Sequence, residues 1–86
     1  MKRGMPLLRE HQTVRVVRLL KANRPYQGTV GVRRAPAVGD VGTIVHPCDP
    51  KDPRAPFAVE MVDADSNTVW LADFDPDELE PVDTWA

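Results

Sequence analysis

Valine alternates with arginine in TVRVVRLL (residues 13–20), where Val14 and Val16 flank Arg15. A period of two places the valines on one face and the arginine on the other, which predicts a half-buried strand. A helix over the same stretch is the competing reading, because residues 7–23 also supply an apolar stripe. The stiff χ1 of three valines and a threonine within five residues favours the pleated surface. VGTIV (41–45) is a second β-branched run and predicts a second strand. FAVEMV (57–62), the polar DADSN (63–67) and TVWLADF (68–74) predict a hairpin. In its first arm Phe57, Val59 and Met61 share a face and Ala58 and Glu60 take the other. In its second arm Trp70, Ala72 and Phe74 alternate with Val69 and Leu71, so both faces are expected to be covered.

Between these runs the chain is punctuated by nine prolines and five glycines, which exclude a long helix. KANRPYQGTVGVRRAPAVGD (21–40) predicts a long connection with a brief strand at 29–32. Four prolines in HPCDPKDPRAP (46–56) remove N–H donors a ladder needs and predict a stiff loop. Asp75 followed by Pro76 has the form of a helix start, with Asp77 and Glu78 in the first turn where the helix dipole favours negative charge. A single helical turn and a closing strand at Leu79–Val82 fit the remaining length. Gly39 with Asp40 predicts a tight turn into the second strand, and Gly42 a bulge or bend within it. The sum is an all-β fold, a small SH3-like barrel of about five strands with one short helical turn near the C-terminus. It spans residues 13–82, with an N-terminal arm (1–12) and a C-terminal tail (83–86).

AVGDVGTIVHP (37–47) followed by FAVEMVDADSNTVWLADFDPDELEPV (57–82) resembles the DUF4926 family of small bacterial proteins with an SH3-like barrel. The shared pattern runs from a valine-rich first strand through Gly-Asp-Val-Gly-Thr-Ile-Val and a Val-Glu-hydrophobic-Val-Asp hairpin to a closing Glu-Leu-x-Pro-Val, covering most of residues 10–82. The first connection (21–37) and the loop at 46–56 are longer and richer in proline than that pattern. The resemblance implies a fold and brings no activity with it. The glycine-strand phrase is also similar to KOW modules, which bind RNA or ribosomal protein, and to the SH3-like domain of nitrile hydratase β subunits.

Eighty-six residues make one domain, 42% hydrophobic and 28% charged. No apolar run approaches the roughly 20 residues of a membrane helix, and MKRGMPLLREHQ (1–12) lacks the apolar stretch of a secretory signal. One cysteine, Cys48, allows no internal disulfide, so a cytoplasmic location is expected. The net charge of −2 conceals an asymmetry. Residues 1–43 carry nine Lys or Arg against Glu10 and Asp40, whereas residues 44–86 carry eleven carboxylates against Lys51 and Arg54. Interleaved strands would mix the two signs on one surface.

Candidate chemistry is thin. His46 and Cys48, with His11 or Asp49, fall short of the four ligands at recognisable spacing that zinc takes. Cys48 has only His46 nearby to serve as a base. The carboxylates Asp73, Asp75, Asp77 and Glu78 lack the glycine and alternating ligands of a calcium loop and predict a solvated, helix-capping edge. No catalytic residue, cofactor or metal is therefore expected, and the chain is not expected to be an enzyme. Lys2, Arg3, Arg9, Arg15, Arg18, Lys21, Arg24, Arg33 and Arg34, with Tyr26 to stack, supply an RNA- or DNA-binding alternative of the KOW kind. An accessory subunit of a larger metalloenzyme is a further alternative. The preferred reading is a protein-interaction module, binding a partner protein or a second copy and no membrane. Its candidate contact residues are Tyr26, Arg33, Arg34, Trp70 and Trp85. For Trp70 core packing is an equal alternative. PKDPRAP (50–56) has a polyproline look, though loop stiffening explains the prolines more simply.

Overall fold

A computed structural model describes residues 8–82 of the chain. The alternating segments form five strands: β1 (Thr13–Val16), β2 (Val41–Pro47), β3 (Phe57–Val62), β4 (Thr68–Phe74) and β5 (Leu79–Pro81). A 3-10 turn at Pro76–Glu78 precedes β5. All pairings are antiparallel, and one curled sheet results in the order β4-β3-β2-β1-β5. This is the all-β, SH3-like arrangement expected from the strand pattern.

The inner face of the curl carries the core. Val14, Val16, Ile44, Val59, Trp70 and Phe74 are all at most 1% exposed, and Phe57, Ala72 and Leu79 pack with them. Trp70 and Phe74, one turn of the pleat apart twice over, meet with ring centroids 5.3 Å apart and planes tilted by 52°. Burial on the order of 2 kcal/mol for each large apolar side chain makes this cluster the main source of stability.

Local departures from the sequence expectations have identifiable causes. β1 ends at Val16 instead of reaching Leu20; beyond it the Val17 N–H donates to the Glu78 carbonyl at 2.8 Å and the Leu20 N–H to the Glu78 carboxylate at 2.7 Å. Residues 29–32 form turns and no strand: the N–H groups of Val32 and Arg33 both donate to the Thr29 carbonyl, and Gly31 takes φ +96°. β2 continues through His46 and Pro47, which were expected in the loop. Cys48 donates its N–H to Pro56 O on the β3 side, so alternation points the Pro47 nitrogen away from β3 and the missing donor breaks no bond there.

Gly39 turns the chain at φ +97°, as expected of the Gly39–Asp40 corner. Gly42 answers to a different constraint from the one its position suggested. The bulge in β2 lies between Ile44 and His46, not at Gly42. A Cβ at Gly42 would come 2.7 Å from the Glu60 carbonyl oxygen, so glycine there permits β2 and β3 to approach. The β3–β4 hairpin is closed by Asp63, whose Oδ1 accepts the N–H groups of Asp65 and Asn67.

Candidate docking surface

The long connection between β1 and β2 is fastened along the outer edge of β4. Gln27 and Leu71 exchange both backbone hydrogen bonds, at 3.0 and 2.8 Å, and Thr29 and Arg34 donate to the carbonyls of Thr68 and Val69. Gly28 allows the close fit, since a Cβ there would lie 2.8 Å from Val69 O. A sheet edge that would otherwise invite pairing with another chain is thereby occupied.

Three of the five expected contact residues belong to this strap or adjoin it. Tyr26 remains 39% exposed and stands beside the outer face of the sheet. Arg33 is exposed. Arg34 is committed to Asp40, with Nη1 and Nη2 donating to its two carboxylate oxygens at 2.8 and 3.0 Å. Trp70 is fully buried, so it belongs to the core and has no surface to offer a partner. Its indole N–H donates inward, to Asp40. Trp85 lies outside the described residues.

Asp40, whose place after Gly39 predicts only a turn residue, is a hub. Its carboxylate accepts from Arg34, from Trp70 Nε1 at 2.9 Å and from the Ala37 N–H at 2.9 Å. Burial alone would raise its pKa, but the hydrogen bonds from Arg34, Trp70 and Ala37 together outweigh that effect and hold it below the usual carboxylate range. The strap is thus pinned to the core through one side chain.

Beside Tyr26 the outer face forms a groove of about 320 Å³. Pairing sets His46 opposite Ala58 and Ala58 opposite Asp73, so these three side chains form a row on one face. The Ala58 methyl floors the groove, Val45 and Leu71 give it apolar walls, and Tyr26 closes one side. His46 and Asp73 supply its polar end. The row exists because the bulge around Val45 rotates His46 to the outer face, a displacement with no mark in the sequence.

Burial, followed by the neighbouring Asp73 carboxylate, pushes the Cys48 thiol up, away from the thiolate that a nucleophile or metal ligand needs. Among the described residues no group of three or more His, Cys, Asp or Glu side chains is gathered to hold a metal ion. No described helix is long and apolar enough to cross a membrane.

The charged halves interleave. Arg15 pairs with Glu80, Lys21 with Asp75 and Arg24 with Glu78, each joining the basic half of the chain to the acidic half. Glu78 also corrects the expectation of a solvated acidic edge. It is fully buried, and its carboxylate accepts from Arg24, Leu20 N and Asp75 N. Asp77 stays exposed, as expected.

With this geometry in hand, no family model, curated protein or solved structure matches the chain.

Proposed function

We propose that this chain is a non-enzymatic protein-interaction module that docks a partner protein in the groove beside Tyr26. The observation that carries this reading is the groove itself, a concavity with an apolar floor and an uncommitted aromatic at its rim, on the outer face of a sheet whose inner face is already packed. Tyrosine suits such a place because its ring contributes contact area while its hydroxyl tolerates water.

The pairing of the cations supports a protein partner over a nucleic acid. Among the described residues of the first half, four of the seven basic side chains, Arg15, Lys21, Arg24 and Arg34, are engaged with carboxylates. A phosphate backbone would find neighbouring negative charge at each of them.

A photo-crosslinking amino acid at position 26, expressed in the native host, tests the reading. A discrete protein adduct is expected from position 26 and none from position 38, and Leu71→Glu in the same chain is expected to abolish it. An adduct at twice the chain mass would make the partner a second copy. RNA in the adduct, or equal labelling from both positions, would overturn the reading.

A further inference from the structure

Next to the Tyr26 groove, against Pro47 and Phe57 where β2 ends and β3 begins, the proline-rich loop and the approach to β1 enclose a second, larger concavity. Its volume is about 630 Å³. Leu8, Pro47, Pro50, Pro53 and Phe57 line it, so its walls are rigid rings and an aliphatic side chain. Phe57 is itself 7% exposed and belongs to the core, which fixes the floor of the concavity to the body of the fold. The loop, though exposed, does not run as an extended polyproline helix. Asp52 and Ala55 donate their N–H groups to the carbonyls of Asp49 and Asp52, folding the segment into successive turns.

The charges around this apolar lining are one-sided. Glu10, Asp49 and Asp52 stand on it against the single guanidinium of Arg9, with His11 beside them. Asp49 and Asp52 each use Oδ1 to accept a backbone N–H within the loop, from Lys51 at 3.0 Å and Arg54 at 2.9 Å. These bonds orient the carboxylates without neutralising them. Among the described residues none of the three acids is in an ion pair.

We propose that the concavity between Leu8 and the proline-rich loop is a second docking site, taking a protein segment in which aliphatic side chains alternate with lysine or arginine. The aliphatic groups fill the Pro–Phe lining, and the cations meet the carboxylates on the rim. Ring-walled sites of this kind lose little side-chain entropy on binding, which favours short segments. Charge on the rim then sets orientation and partner choice more than affinity.

The test titrates the isotope-labelled chain with an acetylated tetrapeptide alternating leucine and arginine, followed by amide chemical shifts. Saturable shifts are expected at residues 8–11 and 48–57, with none at Tyr26 or Leu71. A control peptide with glutamate for arginine, and another with glycine for leucine, are each expected to bind about tenfold more weakly or not at all. The variant combining Glu10→Gln, Asp49→Asn and Asp52→Asn keeps the turn-forming acceptors and removes the charge. It should retain the unperturbed spectrum elsewhere and lose about tenfold in affinity for the arginine peptide. No saturable shift, shifts centred on the Tyr26 groove, or indifference to either control overturns the proposal. Shifts at residues 8–11 and 48–57 that depend on protein concentration alone would assign the concavity to a second copy and overturn it too. The Tyr26 crosslink reads a different surface, so failure of one leaves the other standing.

Discussion

Trp70 Nε1 donates to Asp40 Oδ2 at 2.9 Å, joining the largest core side chain to the turn that opens β2. The same carboxylate holds Arg34 in a two-point contact, so the long connection, the core and the β1–β2 corner share one acceptor. Asp40→Ala leaves the buried indole N–H without a partner and frees the strap. It should cost about 3 kcal/mol, combining an unmade buried hydrogen bond with the lost charge-assisted pair. Asp40→Asn keeps an acceptor for the indole and should cost about 1 kcal/mol. Urea denaturation followed by tryptophan fluorescence separates the two. Equal losses would mean that the indole bond contributes nothing.

Acid should weaken the fold through the same group and through Glu78. At Glu78, burial would raise the pKa, but the bonds from Arg24, Leu20 N and Asp75 N outweigh it and lower it. A carboxyl whose folded pKa is depressed stabilises the fold above its unfolded pKa, about 3.9 for Asp and 4.3 for Glu, and loses that contribution as pH falls through the folded value. In that window the unfolded chain binds more protons, so stability rises with pH. Thermal melts should be level from about pH 6 to 8 and fall steeply below about pH 4. Asp40→Asn combined with Glu78→Gln should flatten the acid limb. An unchanged limb in that variant would assign acid sensitivity to other carboxylates.

The buried pair of Arg24 and Glu78 should behave as a unit. Their side chains are 5% and 0% exposed, and the Arg24 guanidinium stacks 4.3 Å from the centre of the Phe74 ring. Two of its nitrogens, Nε and Nη1, are buried without a hydrogen-bond partner among the described residues, which limits what the ion pair adds. Breaking it from one side strands a charge. Glu78→Gln or Arg24→Met alone should each cost about 3 kcal/mol. The double variant should cost less than the sum by more than about 1 kcal/mol, because no unpaired charge remains. Additive losses would show that the two side chains act separately.

Strand positions were legible because a period of two leaves a direct trace: Phe57, Val59 and Met61 on one face and Trp70, Ala72 and Phe74 opposite them. The turn residues were legible for the same local reason, as Gly39 and Asp63 show. What sequence could not disclose depends on partners far along the chain. Asp40 looks like any turn aspartate until Trp70, thirty residues on, points its N–H at it. Glu78 satisfies the rule for an exposed first-turn acid, yet Arg24 and Leu20 draw it inside. The row of His46, Ala58 and Asp73 depends on one bulged residue, and a shift of one reverses every face assignment beyond it.

Gly42 and Gly39 look alike in the sequence, three residues apart in one glycine-strand phrase, and should respond differently to the same substitution. Gly39→Ala introduces a methyl into open space, with no heavy atom within 4 Å, and costs only the strain of an L residue at φ +97°. That strain is about 1–2 kcal/mol. Gly42→Ala adopts an allowed backbone conformation but drives its methyl to 2.7 Å from Glu60 O and 3.0 Å from Val59 Cγ1. The nearest obstacle is backbone in the central pairing of the sheet, so relief requires β2 and β3 to separate. Overpacking of this kind costs about 3 kcal/mol or more. The two losses also differ in place. Amide exchange should quicken at residues 57–62 in Gly42→Ala and stay unchanged there in Gly39→Ala, since only the first disturbs the β2–β3 ladder. If Gly39→Ala proved the more damaging and opened that ladder, close approach of the strands would not be the reason for glycine at position 42.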